Sequence, residues 1–315
     1  LINISIIQLQ YITALDEHRN FVKAAESCFV TQPTLSMQIK KLEEELGVLL
    51  FDRSHHPVIP TDVGEVVIAQ ARKILQDTKR IEHLVHEHKD KIGGELIVGI
   101  IPTVSNFLMP GLIHAISQQL PDLRLKIKEL FTEDIIKGLH KDHLDVGILS
   151  TPLHEENIIE EPLFYEKFKV YLNKKHPSFN KDRITADDLS QDKLWLLSEG
   201  NCFRAQTVNL CNIEWSQRNP VNFEYESGSL ETLKKIVDLE GGATILPQWA
   251  TLDLCSDNKE QLKPFGKDEE VREVSLVYTR HFAKSKLVTA LKEITASAVP
   301  PELKANDGLN VVEFA

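Results

Sequence analysis

The sequence predicts an α/β protein in three successive parts: a small winged helix-turn-helix unit, one long helix, and a region that builds two α/β subdomains. Three observations predict it. Apolar residues across Ile6–Glu45 repeat at helical spacing, with very short connections between the repeats. Residues 62–91 keep an apolar stripe alternating in steps of four and three. From Glu95 onward, short apolar runs alternate with amphipathic stretches, the pattern of strands joined by crossover helices.

Composition narrows the classes. The 315 residues are 42% hydrophobic and 26% charged, too apolar for a disordered chain and long enough for two or three cores. The longest uncharged apolar stretch, Leu96–Leu112, contains Gly99, Pro102 and Asn106 and is too short to cross a bilayer, so no membrane partner is expected. Leu1–Tyr11 has neither a basic opening nor a small-residue cleavage site; no secretory leader and a cytoplasmic setting are expected. With 36 basic and 47 acidic residues, a net charge of −11 excludes a blanket electrostatic hold on nucleic acid but leaves a local one open. Residues 1–92 carry 11 basic against 13 acidic side chains and the remainder 25 against 34, so the first third is the place for it. The four cysteines, Cys28, Cys202, Cys211 and Cys255, form no CxxC pair and no Cys/His quartet with zinc spacing, so neither a metal nor a cofactor is expected. His83, His86 and His88 read as a solvated helix face rather than ligands.

Taken in order, Ile7, Tyr11, Ala14 and Leu15 mark a first helix, and Phe21, Ala24, Ala25 and Cys28 one face of a second. Thr31 stands where an N-cap belongs, Pro33 at the start of a third helix, and Leu35, Ile39, Leu42 and Leu46 form its buried stripe. Two short helices with a three-residue connection make a helix-turn-helix, whose second member enters the major groove. Gln32, Thr34, Ser36, Gln38 and Lys40 are the side chains expected on its exposed face, suited to base edges and phosphates. A short extended pair around His55–Pro57 is the wing, with Arg53 as its phosphate contact.

The long helix presents Val67, Ala71, Ile74, Thr78, Ile81, Val85 and His88 as a heptad seam, which calls for a second copy of the chain, although packing within one subunit stays open. Gly93-Gly94 breaks the helix and marks a hinge. Strands are expected at Glu95–Pro102, Leu123–Leu130, Asp145–Ser150, Phe168–Leu172, Lys193–Leu197, Val221–Tyr225, Ala243–Leu246 and Val274–Tyr278, with helices near Ser105–Gln119 and Asp134–His140. Phe164–Val170 and Pro264–Val274 read as two crossings between subdomains. The resulting division is 1–61 (helix-turn-helix), 62–92 (linker helix), 93–302 (regulatory, with subdomain I at about 93–166 and 271–302 and subdomain II at about 167–270) and a tail at 303–315.

The string AAESCFVTQPTLSMQIKKLEEELGVLLFDR, followed by PTDVG, resembles the LysR-type transcriptional regulator family, and the resemblance extends over essentially the whole chain. Met37 lies where many members carry a basic residue, and Pro60 where Leu is usual. The resemblance implies two periplasmic-binding-protein-like regulatory subdomains and a homodimer or homotetramer that binds double-stranded DNA as paired half-sites, with RNA polymerase as a further partner. It also implies a regulator rather than an enzyme. Within the family, IPTVSNFLMP, ELFTEDIIKGL, SEGNCFRAQTVNLC and VREVSLVYTR resemble the peroxide-sensing members. That resemblance assigns Cys202 as the peroxidatic and Cys211 as the resolving cysteine, reduced again by a cellular thiol. It places Thr103, Thr132 and Arg272 in the peroxide pocket, with Asn201 and Ala205 departing from the better-known pattern. A Cys202 that opens a helix has its anion favoured by the helix dipole, and Arg204 is expected to add positive charge. A small metabolite in the cleft between subdomains, with the cysteines irrelevant, is the alternative regulator; a thiol peroxidase is the alternative from another class.

Overall fold

A computed structural model describes residues 3–87, 94–189, 193–211, 228–266, 270–280, 285–304 and 309–313. It separates into two compact units, Leu1–Asp90 and Lys91–Ala315.

In the first unit, α1 (Ile6–His18) opens on a capping box: the Ser5 hydroxyl accepts the Gln8 backbone N–H, and the Gln8 side chain accepts that of Ser5. Asn20 caps α2 (Phe21–Ser27) by accepting the Val22 and Lys23 N–H groups. α3 (Gln32–Leu46) has Pro33 in its first turn and ends at Gly47, whose φ of +70° suits a residue without a side chain. Thr31 occupies the N-cap position, but its hydroxyl pairs with that of Thr34 at 2.8 Å and caps no backbone group. Leu35, Ile39 and Leu42 close on Ile12, Leu15, Ala24 and Ala25 as the core, while Leu46 is half-buried at its edge.

The wing is β1 (Phe51–Asp52) paired antiparallel with β2 (Ile59–Pro60). One carboxylate joins it to α3. Glu43 is 4% exposed. Its Oε1 accepts the Leu50 and Phe51 N–H groups at 2.9 and 3.3 Å, and its Oε2 accepts Arg53 Nη2 at 2.7 Å. The Arg53 guanidinium also lies over the Phe21 ring.

α4 (Asp62–Glu87) is fastened to that wing by Thr61, whose hydroxyl donates to Leu49 O and accepts the Gly64 N–H. Gly64 is obligatory there, because a Cβ would lie 2.0 Å from the Leu50 carbonyl oxygen. The expected single seam on α4 is corrected. Ala71, with Ile68, is buried in this unit's own core, whereas Val63, Val66, Ile74 and Ile81 remain exposed. At 3.6 residues per turn one helix carries both stripes, and the first turns spend theirs on the helix-turn-helix. The side chain of Val85, and His88, lie outside the described residues.

The second unit begins with β3 (Gly94–Ile100), α5 (Pro102–Gln119), β4 (Leu123–Glu129), α6 (Thr132–His140) and β5 (Val146–Thr151). It continues with β6 (Ile158–Leu172), α7 (Ala186–Leu189), β7 (Leu194–Trp195), α8 (Cys202–Cys211), α9 (Leu230–Glu240) and β8 (Ala243–Pro247). α10 (Ser256–Lys259), β9 (Leu262–Pro264), β10 (Glu270–Thr279), α11 (Ser285–Ala298) and β11 (Asn310–Val311) complete it. Among the described residues the strands run β4-β3-β5-β10-β6-β8-β7, with β9 added to β6 and β11 to β10. β3 pairs parallel with β4 and β5, and β10 pairs antiparallel with β5 and β6.

The long strand β6 serves two cores. Its part up to Lys167 pairs with β10, and Phe168–Leu172 pairs with β8. Ile100, Leu108, Ile135, Ile148 and Leu291 belong to the first core; Val170, Leu172, Phe203, Leu233 and Ile245 belong to the second. The sequence expectation began this strand only at Phe168, because the charged stretch before it masks the alternation. The expected strand Val221–Tyr225 lies outside the described residues. Segment 303–315 is corrected from a tail: Leu303 is fully buried, and Asn310–Val311 pairs parallel with Glu270–Val271.

Gly64→Ala is expected to lower the stability of the first unit by about 1–3 kcal/mol, since backbone rather than a flexible side chain opposes the new methyl. Thermal unfolding of residues 1–90 checks this, with Gly47→Asn, which tolerates positive φ, as a mild comparison.

Candidate functional site

Three side chains singled out in the sequence stand at helix starts. Thr103 lies in the first turn of α5, Thr132 is the first residue of α6, and Cys202 the first of α8. β3 and β4 end just before α5 and α6, and β3 lies between β4 and β5 in the sheet. The chain therefore reverses direction across the sheet at this point, which is where α/β sheets hold their ligands. The Asn201 carbonyl accepts the Ala205 N–H, which starts α8 at Cys202, and a Cβ at Gly200 would lie 3.6 Å from the ring of Phe131, the residue before α6.

Arg272 ties the group together from β10. It is completely buried. Its Nη1 donates to Thr103 Oγ1 at 2.9 Å and its Nε to Glu166 Oε1 at 2.8 Å, with Nη2 on the same carboxylate oxygen. The guanidinium lies 5.0 Å from the centre of the Phe203 ring. Glu166 is the cross-strand neighbour of Arg272, and its other oxygen accepts the Trp249 N–H at 3.0 Å.

Cys202 is 6% exposed and reduced. Burial pushes its thiol pKa up, and this outweighs the opposing influences of Arg272, Thr132 and the backbone at Phe203 and Ser150. The expectation that Arg204 supplies the charge is corrected. Its Nη1 donates to Leu197 O at 2.9 Å and its Nη2 lies 3.6 Å from Glu199, so it braces the loop ahead of α8, and the cation acting on the sulfur is Arg272. The buried Thr132 hydroxyl acts on the Cys202 thiol, and Gln206 Oε1 is buried without a hydrogen-bond partner among the described residues.

Cys211 closes the same helix but sits in the other core. Cys202 packs with the first hydrophobic cluster and Cys211 with the second. Burial alone raises the Cys211 pKa to about 12. Nine residues of helix at ~1.5 Å each hold the two Cα atoms about 13 Å apart, against the roughly 4.4–6.8 Å of a disulfide. Between them, Gln206 Nε2 donates to Val312 O at 2.7 Å and to Ser150 Oγ at 3.2 Å, and Asn209 Nδ2 reaches Glu313 O at 3.4 Å. The C-terminal strand is thus held directly by α8.

Two of these residues escaped the sequence reading. Glu166 had a signal: it alternates with Phe164, Phe168 and Val170 on the buried side of one strand, and a carboxylate there needs a cation. Gln206 had none beyond its place between two cysteines.

In the first unit, α3 corrects the expected exposed face. Gln32 and Lys40 are exposed, but Thr34, Ser36 and Gln38 are half-buried. A helix turns about 200° every two residues, so alternate positions cannot share a face. Opposite the Leu35–Ile39–Leu42 stripe stand Pro33, Met37, Lys40, Lys41 and Glu44, all exposed. Arg53, expected to meet phosphate, is engaged with Glu43 and is part of the wing's own framework.

A winged helix-turn-helix on a long helix, with a separate two-core α/β unit, defines a regulator that couples a DNA-binding head to a sensing domain. The chain belongs to the LysR family: residues 6–65 match the bacterial regulatory helix-turn-helix protein, lysR family, and residues 89–299 the LysR substrate binding domain. More particularly, it is 36% identical to the hydrogen peroxide-inducible genes activator of Dickeya chrysanthemi, covering 87% of this chain and 89% of that protein. It is 35% identical, over the same shares, to the DNA-binding transcriptional dual regulator OxyR of Escherichia coli K12. Among solved structures, a full-length OxyR variant from Pseudomonas aeruginosa superposes with a TM-score of 0.76 at 32% identity, covering 97% of this chain and 99% of that one. No helix among the described residues is long and apolar enough to cross a membrane.

Glu166→Gln is expected to leave the Arg272 charge uncompensated, drawing the Cys202 pKa down and raising its alkylation rate at neutral pH. The same change should cost stability of about 3 kcal/mol or more, because a buried cation loses its partner. Rates of thiol alkylation against pH, in a Cys28/Cys211/Cys255→Ser background, measure the first effect and denaturant unfolding the second.

Cys211 also sets a pH dependence. Its folded pKa of about 12 lies above the ordinary 9.0, so the reduced second unit is fully stabilised below pH 9.0 and loses stability between there and about 12 as the unfolded chain gives up its proton. Cys211→Ala should flatten that slope in denaturant titrations of the reduced protein.

Proposed function

We propose that this LysR-family regulator senses hydrogen peroxide through reversible Cys202–Cys211 disulfide formation and passes the change to DNA. The observation that carries the reading is a cysteine at the meeting of three helix starts, under a buried arginine, with a second cysteine at the far end of its own helix. The peroxide response named for its relatives supports it.

The Cys202 sulfur attacks one peroxide oxygen; an S–O bond forms, the O–O bond breaks, and the departing hydroxide takes up a proton as water, leaving a sulfenic acid. The Cys211 thiol then attacks that sulfur and displaces a second water. Two thiols and one peroxide become one disulfide and two waters, and a cellular thiol reductant reverses the step. Thr103 and Thr132 offer hydroxyls to hold the peroxide in line with the sulfur, and Arg272 favours the thiolate against the burial that keeps the resting thiol protonated. The buried hydroxyl of Thr132 already acts on the Cys202 thiol and favours its anion, which supports this role.

The disulfide cannot span an intact α8. Its formation unwinds the helix and pulls its two ends out of separate cores, and the Gln206 and Asn209 contacts to Val312 and Glu313 are lost with it. The regulatory unit thereby gains two discrete arrangements. α3 supplies the DNA contacts through the exposed Gln32, Pro33 and Lys40, with the half-buried Thr34, Ser36 and Gln38 at the flanks of that face, and the exposed stripe of α4 pairs two copies so that two helices meet paired half-sites. A homotetramer, in which a second pairing joins two such dimers, would carry the change between half-sites.

The test is mass spectrometry of reduced protein after one equivalent of hydrogen peroxide. Loss of two hydrogens is expected, with a cross-linked peptide joining Cys202 and Cys211 that is absent from Cys202→Ser. Faster hydrogen exchange at Val312 should accompany it, since that amide is held by Val271 O while α8 is intact. Two thiols that stay reduced, or oxidation that halts at Cys202, would overturn the disulfide reading and favour a regulator switched by a metabolite.

A further inference from the structure

We propose that Met37 reads thymine, its side chain packing on the C5 methyl group of one thymine in each half-site. The proposal rests on α3 being the helix that enters the major groove, and it adds a recognition element that the polar side chains of α3 do not supply.

Leu35, Ile39 and Leu42 fix the inward direction of α3. At about 100° per residue, Met37 points almost opposite the centre of that stripe, whereas Thr34, Ser36 and Gln38 stand toward the flanks. Exposure agrees: Met37 is 63% exposed, and Ser36 and Gln38 are only half-exposed. Its neighbours on the outward face are Pro33, Lys40, Lys41 and Glu44. Lys40 lies 3.7 Å from the exposed Glu44, and the exposed Lys41 is 4.0 Å from the half-buried Glu45, long pairs that leave the ammonium groups available to phosphate.

The middle of the outward face therefore holds a long apolar side chain with no strong donor or acceptor. It cannot make the hydrogen bonds that read guanine, adenine or cytosine edges. The major groove offers one apolar group, the thymine methyl. An unbranched thioether adapts its shape to such a target at little cost in packing. A basic side chain at this position would instead seek the acceptors of guanine, so Met37 bears on which base is preferred and not merely on how tightly the backbone is held.

The experiment selects bound sequences from a random duplex library with the full-length protein, then replaces thymine by deoxyuridine, which lacks only the methyl, at each thymine of the enriched half-sites. One thymine per half-site is expected at which the replacement weakens wild-type binding about 3- to 5-fold per half-site, the scale of one buried methyl. Met37→Ala should bind the thymine and deoxyuridine duplexes equally and accept other bases at that position. Lys40→Ala should weaken both duplexes alike and shallow the salt dependence. Equal binding of both duplexes by the wild type, or discrimination that survives in Met37→Ala, would overturn the methyl contact while leaving DNA recognition intact. A wild-type chain that enriches no sequence would overturn recognition by α3 and this assignment together. Because Met37 is exposed, its replacement does not threaten the fold, and an unchanged circular dichroism spectrum confirms as much.

Discussion

The second unit is organised around a buried ion pair between cross-strand neighbours. Glu166 and Arg272 face each other where β6 leaves one core for the other, and both are almost wholly removed from water. Such a pair brings little net stability, because stripping two charges of water costs nearly what their attraction returns. What it does is fix geometry. The carboxylate holds the Trp249 backbone on one side and the guanidinium on the other, and the guanidinium in turn holds Thr103, stacks on Phe203 and faces the Cys202 sulfur. Three helix starts are thereby brought to one point by a group that cannot move without leaving a bare charge inside the protein.

The same arrangement sets the state of the resting thiol. Burial raises its pKa, and a cation already shared with a carboxylate can offset only part of that. An enclosed cysteine held as the thiol is a weaker nucleophile than its thiolate and is shielded from large reagents. The second cysteine is stored in a separate core, where burial raises its pKa to about 12. The two sulfurs stand at opposite ends of a helix that packs into both cores, so they cannot meet while it is intact.

The first unit applies a similar device with different residues. Glu43 binds the wing's backbone to α3, and the close approach at Gly64 binds α4 to the wing. Both are contacts between an element and a backbone, which hold direction better than side-chain packing does. α3 and the long helix consequently form one piece, with Val63, Val66, Ile74 and Ile81 left exposed along α4.

By itself the sequence determined the elements and most of the chemistry-bearing residues. Apolar periodicity located α1 to α4, alternation located most strands, and the positions of Thr103, Thr132, Cys202, Cys211 and Arg272 were legible because each lies in a recognisable string. It left undecided which charge serves which partner. Arg204 is two residues from Cys202 yet turns to Leu197 and Glu199, while Arg272, seventy residues away, supplies the cation. Likewise, alternate residues along α3 looked like one face until helical rotation separated them and put Met37 at the centre. Segment 303–315 read as a tail because its few apolar residues show no period, and only pairing with β10 and the reach of Gln206 gave it a place. Local spacing specifies which way a side chain leaves its own helix or strand; what it meets there depends on elements far away in the chain, and that is settled only when the two cores pack.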